Sequence, residues 1–163
     1  MDKFFNAYYQ SPIGKIHLQA DDDALILTSF MDDSDNERTT TLSPVLKNTI
    51  SQLDAYFKGT LKSFDLPLKP EGTSFQQTVW KELLNIPLGQ TITYLQLAKR
   101  LGNVKSIRAA ASANGKNPIG IIIPCHRVIG ADGKLTGYAG GLHRKQWLLQ
   151  HEAKFSGHPQ LYS

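Results

Sequence analysis

The 163-residue chain holds one cysteine, Cys125. That excludes an internal disulfide framework and any zinc site built mainly from cysteines. Long apolar runs are missing as well. The longest, around Ile119-Gly-Ile-Ile-Ile-Pro124, falls far short of the ~20 residues that span a bilayer. The first residues, Met1-Asp-Lys-Phe-Phe-Asn, carry an acid and no apolar core, unlike a secretory signal. These absences lead to the expectation of a soluble, cytoplasmic protein without a membrane partner. Acid is scarce in the second half. Residues 74–163 have 3 Asp and Glu against 11 Lys and Arg, net +8, whereas residues 1–73 have 11 against 7, net −4. The two sum to the +4 of the whole chain. A basic half joined to an acidic one fits a polyanionic partner, most often nucleic acid, and fits a solvated basic surface about equally well.

What is present reads as two regions, 1–73 and 74–163. In the first, alternating segments at Phe4–Tyr9, Gly14–Ala20 and Ala24–Phe30 are separated by Ser11-Pro-Ile-Gly14 and by Asp21-Asp-Asp23. They predict a small antiparallel meander. Residues 31–43 are polar and read as loop. Ser43-Pro44 supplies an N-cap and a first-turn proline for a helix through about Phe57, with Val45, Leu46, Ile50, Leu53 and Phe57 on one face and Gly59 as its stop. Leu61–Pro67 could add a short strand, and Leu68–Gly72 reads as a linker. The second region is mainly helical. Phe75, Val79, Trp80 and Leu83 fall at helical spacing. Thr93 and Gln96 have capping-box spacing ahead of a helix ending near Gly102, and Ser106–Gly115 gives another helix closed by its glycine. The pair forms a helix-turn-helix, a DNA-binding arrangement and also a common packing unit. Its second helix is nearly all small side chains, with Arg108 as its one long probe.

The chemistry concentrates in Asn117-Pro-Ile-Gly-Ile-Ile-Ile-Pro-Cys-His-Arg-Val128. A lone cysteine is usually a small buried hydrophobe. Here an apolar, strand-like run delivers Cys125 to the edge of a core, and Pro124 ends ordinary strand continuation. His126 and Arg127 follow at once, a base and a positive charge that favour a thiolate.

Pro124-Cys-His-Arg-Val128, Asn117-Pro118, Tyr138-Ala-Gly-Gly-Leu142 and Trp147-Leu-Leu-Gln-His-Glu152 together resemble the O6-alkylguanine-DNA alkyltransferase (O6-methylguanine-DNA methyltransferase) family. Tyr94 and Arg108 also fall in register. The resemblance is close over residues 74–154 and extends to residues 1–73 in layout only. It implies an α+β protein: a small N-terminal domain of antiparallel sheet plus helix, and a mainly helical C-terminal domain carrying a helix-turn-helix. It implies direct reversal of damage in double-stranded DNA, with one methyl or small alkyl group moved from guanine O6 to Cys125 per protein molecule. His126 would be the base, acting through a bridging water, and Glu152 would orient it. Tyr94 would donate a proton or hydrogen bond to the guanine ring. Arg108 would occupy the space left by the flipped nucleotide as the helix-turn-helix enters the minor groove. Asn117 would tie the second helix to the active-site strand, while Val128, Tyr138 and Ala139 would contact the base. Ala139 stands where the family often has serine, so a hydroxyl contact is lost there. The resemblance implies no cofactor and no metal, and a monomer is expected.

Three other readings compete with this one. A Cys-His hydrolase would need oxyanion donors and would turn over many times. A non-catalytic binder of alkylated DNA would not need Cys125. A transcriptional regulator should read sequence, for which an alanine-rich helix lacks the long polar side chains.

Overall fold

The computed structural model describes residues 3–32, 39 and 41–157. Most of the loop expected at 31–43 lies outside the described residues. The chain divides into two compact units, Met1–Glu71 and Gly72–Ser163.

In the first unit, β1 (Phe5–Ser11), β2 (Gly14–Ala20) and β3 (Leu25–Phe30) form an antiparallel sheet in sequence order. The register runs from Phe5↔Ala20 to Ser11↔Gly14, so the tight turn at Pro12-Ile13 fixes it. Period-two alternation turns Ile16, Leu18 and Ala20 inward. Helix α1 (Pro44–Lys58) begins on Ser43, whose Oγ accepts from the Leu46 amide, and ends on Gly59 at φ 83°. Its buried stripe is Leu46, Thr49, Leu53 and Tyr56 rather than the expected Val45, Ile50 and Phe57, which are half-buried. Thr49 tolerates the interior because its hydroxyl donates to the Val45 carbonyl at 2.8 Å. The extra strand expected at Leu61–Pro67 is absent. Pairing is confined to a parallel bridge between Leu25 and Leu68, closed by Leu25 N–H to Pro67 O and Lys69 N–H to Leu25 O. Pro67 has no N–H to extend that ladder.

In the second unit, α2 (Ser74–Leu83) starts with a full capping box between Thr73 and Gln76. It buries Val79, Trp80 and Leu83, and leaves Phe75 exposed, against expectation. Strand β4 (Ile92–Thr93) leads directly into α3 (Tyr94–Arg100), whose capping box joins Thr93 and Gln96 as expected. A 3-10 turn at Val104–Ser106, capped by the Asn103 side chain, connects to α4 (Ile107–Gly115). Gly115 is the last helical residue and not a left-handed cap; Lys116 follows at φ −99°. The Trp80 indole donates to the Ala113 carbonyl at 2.9 Å and pins α4 to α2. Strand β5 (Val128–Ile129) pairs in parallel with β4, placing Ile92 beside Val128 and Thr93 beside Ile129. Helix α5 (Leu142–Phe155) closes the unit. The β4–β5 pairing is what matters for function: it brings the first residue of α3 next to the segment that follows Cys125.

Candidate active site

Residues 119–124 do not form the expected strand, despite their isoleucines. Ile121 sits at φ 71°, and the Ile122 amide donates back to Gly120 O at 2.8 Å. That is a γ-turn of the strained, positive-φ kind, costly for a β-branched residue. A second, inverse γ-turn follows at Pro124 (φ −83°, ψ 63°), where the Cys125 amide donates to Ile123 O at 2.8 Å. Strand propensity is overridden at both turns: Ile121 itself takes the positive φ of the first, its side chain buried in the core, and the proline ring presets φ for the second. Cys125, His126 and Arg127 then form one 3-10 turn rather than extended chain.

Asn117 braces this segment. Its Nδ2 donates to Ile123 O at 2.7 Å and its Oδ1 accepts from the Ile119 amide at 2.9 Å. It therefore holds a turn, where the sequence pointed to a strand. Asn114, on the buried face of α4, adds a tie from its Nδ2 to the Cys125 carbonyl at 3.3 Å.

The His126 ring is fully buried and meets Glu152 Oε2 through Nε2 at 2.7 Å. Arg127 Nε donates to the other oxygen, Oε1, at 2.7 Å, and its NH1 donates to Ile86 O at 2.6 Å. Arg127 is thus committed to Glu152 and does not serve the thiol as the sequence suggested. Burial alone would raise the Glu152 carboxyl, but His126 and then Arg127 outweigh it and hold it at about 2. Burial pushes His126 below its ordinary value despite Glu152, with Arg127 and Lys145 pushing the same way. The imidazole is therefore neutral at pH 7, with Nε2–H facing the carboxylate. Nδ1, buried and without a protein partner, keeps its lone pair.

Cys125 is buried and its thiol is raised by that burial, opposed by the polar side chain of Asn117 and by the charge of Lys145. Lys145 is not among the residues expected from the sequence, yet it is the cation of this site. Its Nζ donates to the carbonyls of Val128 at 2.7 Å and Thr136 at 2.8 Å, with Gly137 O at 3.4 Å. Burial lowers it to about 8, against the attraction of Cys125. The buried charges Arg127, Lys145 and Glu152 leave one positive charge in excess while His126 is neutral. A thiolate at Cys125 would match it.

The structure brings further expected residues to this place. Tyr138 lies edge-on to His126 with ring centroids 6.5 Å apart, and its phenol is raised by burial, then by Cys125 and Glu152. Tyr94 lies at the start of α3 with its ring 6.0 Å from Lys145 Nζ. Val128 is buried and its carbonyl already holds Lys145, leaving one lone pair for another donor. Ala139 is exposed and follows Tyr138 in the chain, with no contact among the described residues that ties it to the cluster. Arg108 is not part of the cluster; it is exposed on α4 beside Ala109 and Ser112, whereas Ala110 and Ala113 pack inside. Among the described residues no group of three His, Cys, Asp or Glu gathers as a metal site, and no helix is long and apolar enough to cross a membrane.

Two family descriptions match the chain: "6-O-methylguanine DNA methyltransferase, ribonuclease-like domain" over residues 4–70 and "6-O-methylguanine DNA methyltransferase, DNA binding domain" over residues 74–154. The chain belongs to the 6-O-methylguanine DNA methyltransferase family. Within that family, the methylated-DNA–protein-cysteine methyltransferase of Methanosarcina acetivorans is 48% identical over 152 residues, covering 91% of this chain and 97% of the relative. The namesake from Haemophilus influenzae is 40% identical, covering 93% and 88%. The fold follows the family too. The O6-methylguanine methyltransferase of Mycobacterium tuberculosis superposes with a TM-score of 0.83 at 42% identity, covering 93% of this chain and 94% of that one. That protein in complex with DNA gives 0.82 at 44% identity, covering 94% of each.

Proposed function

We propose that this chain repairs DNA by direct reversal, moving a methyl or small alkyl group from guanine O6 to Cys125 once per molecule. The observation that carries the reading is the buried Cys125 beside a neutral His126 that is backed by Glu152. Burial keeps the thiol protonated at rest, so a base must act as the substrate arrives. The thiol proton passes to Nδ1 of His126, directly or through one water, and Glu152 stabilises the imidazolium. Sγ then attacks the alkyl carbon, the C–O6 bond breaks, and its electron pair stays on the guanine. The guanine recovers a proton, so thiol plus alkylguanine become thioether plus guanine. Charge builds on the base as it leaves, and Tyr94 donates to the ring there. The Val128 carbonyl, the Tyr138 ring and the Ala139 amide hold the base. Attack at an sp3 carbon makes no tetrahedral oxyanion, and no group here could remove an alkyl from a thioether.

A stacked base is out of a thiolate's reach, so the nucleotide must be extruded. The small outer face of α4 lets the helix enter the minor groove closely, and Arg108 fills the vacated stack. The +8 of the second region supports binding to the phosphate backbone. The protein acts as a cytoplasmic monomer without cofactor or metal. Intact-protein mass measurement after incubation with methylguanine duplex is the test. The wild type should gain one methyl group at Cys125 and stop, while Cys125→Ala should bind the duplex and gain nothing. Repeated turnover, or methylation of the variant, overturns the reading and favours a hydrolase-like site.

A further inference from the structure

Tyr94 Oη has one hydrogen-bonding neighbour among the described residues, Thr136, and meets it twice. The phenol donates to the Thr136 carbonyl at 3.3 Å, and the Thr136 hydroxyl donates to Oη at 3.3 Å. The same carbonyl also accepts from Lys145 Nζ at 2.8 Å. These bonds respond differently when a base arrives. To face the guanine, Tyr94 must turn its proton away from the Thr136 carbonyl. That carbonyl is not stranded, because Lys145 still holds it. The bond from the Thr136 hydroxyl uses a lone pair of Oη and survives the turn. An oxygen that accepts a hydrogen bond becomes a stronger donor through its own proton, because the two bonds polarise each other.

We propose that Thr136 is a positioning residue for alkyl transfer, whose hydroxyl holds Oη of Tyr94 and sharpens the phenol as a donor to the departing guanine. The inference rests on the reading of Tyr94 given above. Thr136 touches neither the sulfur nor the alkyl carbon and acts only through Tyr94. It is exposed in the free protein, so water competes there for both bonds. The hydroxyl matters once a duplex covers the site and lowers the local dielectric.

The test is the single-turnover rate of methyl transfer from methylguanine duplex to wild type, Thr136→Val, Thr136→Ser, Tyr94→Phe and the Tyr94→Phe/Thr136→Val double variant. Alkylation of Cys125 by iodoacetamide is followed in parallel, since iodide leaves without needing a donor. Valine keeps the branched shape and the carbonyl for Lys145, while serine restores the hydroxyl. Thr136→Val should slow transfer about 3- to 10-fold, the range for one neutral hydrogen bond. Thr136→Ser should stay within about twofold of wild type. Adding Thr136→Val to Tyr94→Phe should change nothing more, and iodoacetamide rates should be equal throughout. The proposal is overturned by an unchanged Thr136→Val rate while Tyr94→Phe is slow, by further slowing in the double variant, or by equal slowing with iodoacetamide. Normal transfer by Tyr94→Phe overturns the Tyr94 reading, and this proposal with it.

Discussion

The two units bury polar groups in opposite ways. In the first, buried side chains mostly satisfy nearby backbone, and where one reaches far along the chain, Asp21 Oδ2 accepting from Lys69 at 3.2 Å, its partner is an exposed lysine. Ser11 Oγ donates to Gly14 O at 2.6 Å, Asp21 Oδ1 accepts from the Asp23 and Ala24 amides, and Ser43 caps α1. Its side-chain ion pair within α1, Lys58 with Asp54, is exposed. In the second, buried groups reach across the chain: His126 to Glu152, Arg127 to Ile86, Lys145 to Val128. Short-range burial shapes turns and helix ends. Long-range burial of charge is expensive in desolvation and contributes little net stability, so it marks where the molecule has a task beyond folding.

That contrast can be broken at its strongest point. Glu152→Gln removes the charge that Arg127 and His126 share and leaves one acceptor oxygen for two donors. It should cost about 3–5 kcal/mol, as for one half of a buried ion pair, and abolish transfer. Hydrogen exchange mapped along the chain should speed up in α5 and around residues 125–129 while β1–β3 stay protected. Loss of protection in both units would show that they share one cooperative core. The wild-type contribution of Glu152 carries a pH signature. Its folded value, about 2, lies below the usual 4.5, so the stabilisation is complete above pH 4.5 and is lost as pH falls towards 2. Glu152→Gln should flatten that acid limb.

Lys145→Met sharpens the comparison from the side of the cation. It withdraws a donor from the carbonyls of Val128 and Thr136, costing about 1–3 kcal/mol for each one left unsatisfied. The relief of burying a charge offsets part of that loss. Here the linkage runs the other way. A lysine lowered to about 8 from 10.5 is penalised in its charged form, so wild-type stability should rise between pH 8 and 10.5. Urea midpoints across that range should lack the rise in Lys145→Met; the same slope in both proteins would place the titration elsewhere. The smallest effect belongs to the first unit. Asp54→Asn should leave the urea midpoint where it is, since exposed pairs within a helix contribute little. It should still lower the Tyr9 phenol, which burial and then Asp54 push up to about 12, in a spectrophotometric titration. A large loss of stability in this variant would erase the difference between the units.

Much of this was legible because it is local. The Thr93–Gln96 spacing gave a capping box, and Ser43-Pro44 with Gly59 bracketed α1. The same pattern at Thr73–Gln76 caps α2 and could have been read in the same way. What was not legible depends on tertiary contact. The isoleucines of 119–123 carry strand propensity, and only the hydrogen bonds around Gly120 and Pro124 reveal two tight turns. Lys145 resembles any helix lysine; its place three and four residues before the buried Leu148 and Leu149 was the available signal that it faces inward. The partnership of His126 with Glu152 spans 26 positions, and no spacing rule announces it. It came from likeness to a family. Arg127 looked like a helper of the thiol by adjacency alone, yet the 3-10 turn carries its guanidinium to Glu152 and Ile86 instead.

The paired γ-turns have a consequence for what kinds of change this chain can absorb. Between Ile119 and Cys125 three backbone bonds close over very short loops: Ile122 to Gly120, Ile123 to Ile119, and Cys125 to Ile123. A segment folded so tightly has no slack. An added residue could not be looped out to solvent, because Ile119, Ile121, Ile122 and Ile123 are all buried. The stretch therefore works as a ruler that sets how far the sulfur stands from Asn117, tolerant of which apolar side chains mark it and intolerant of any change in their number.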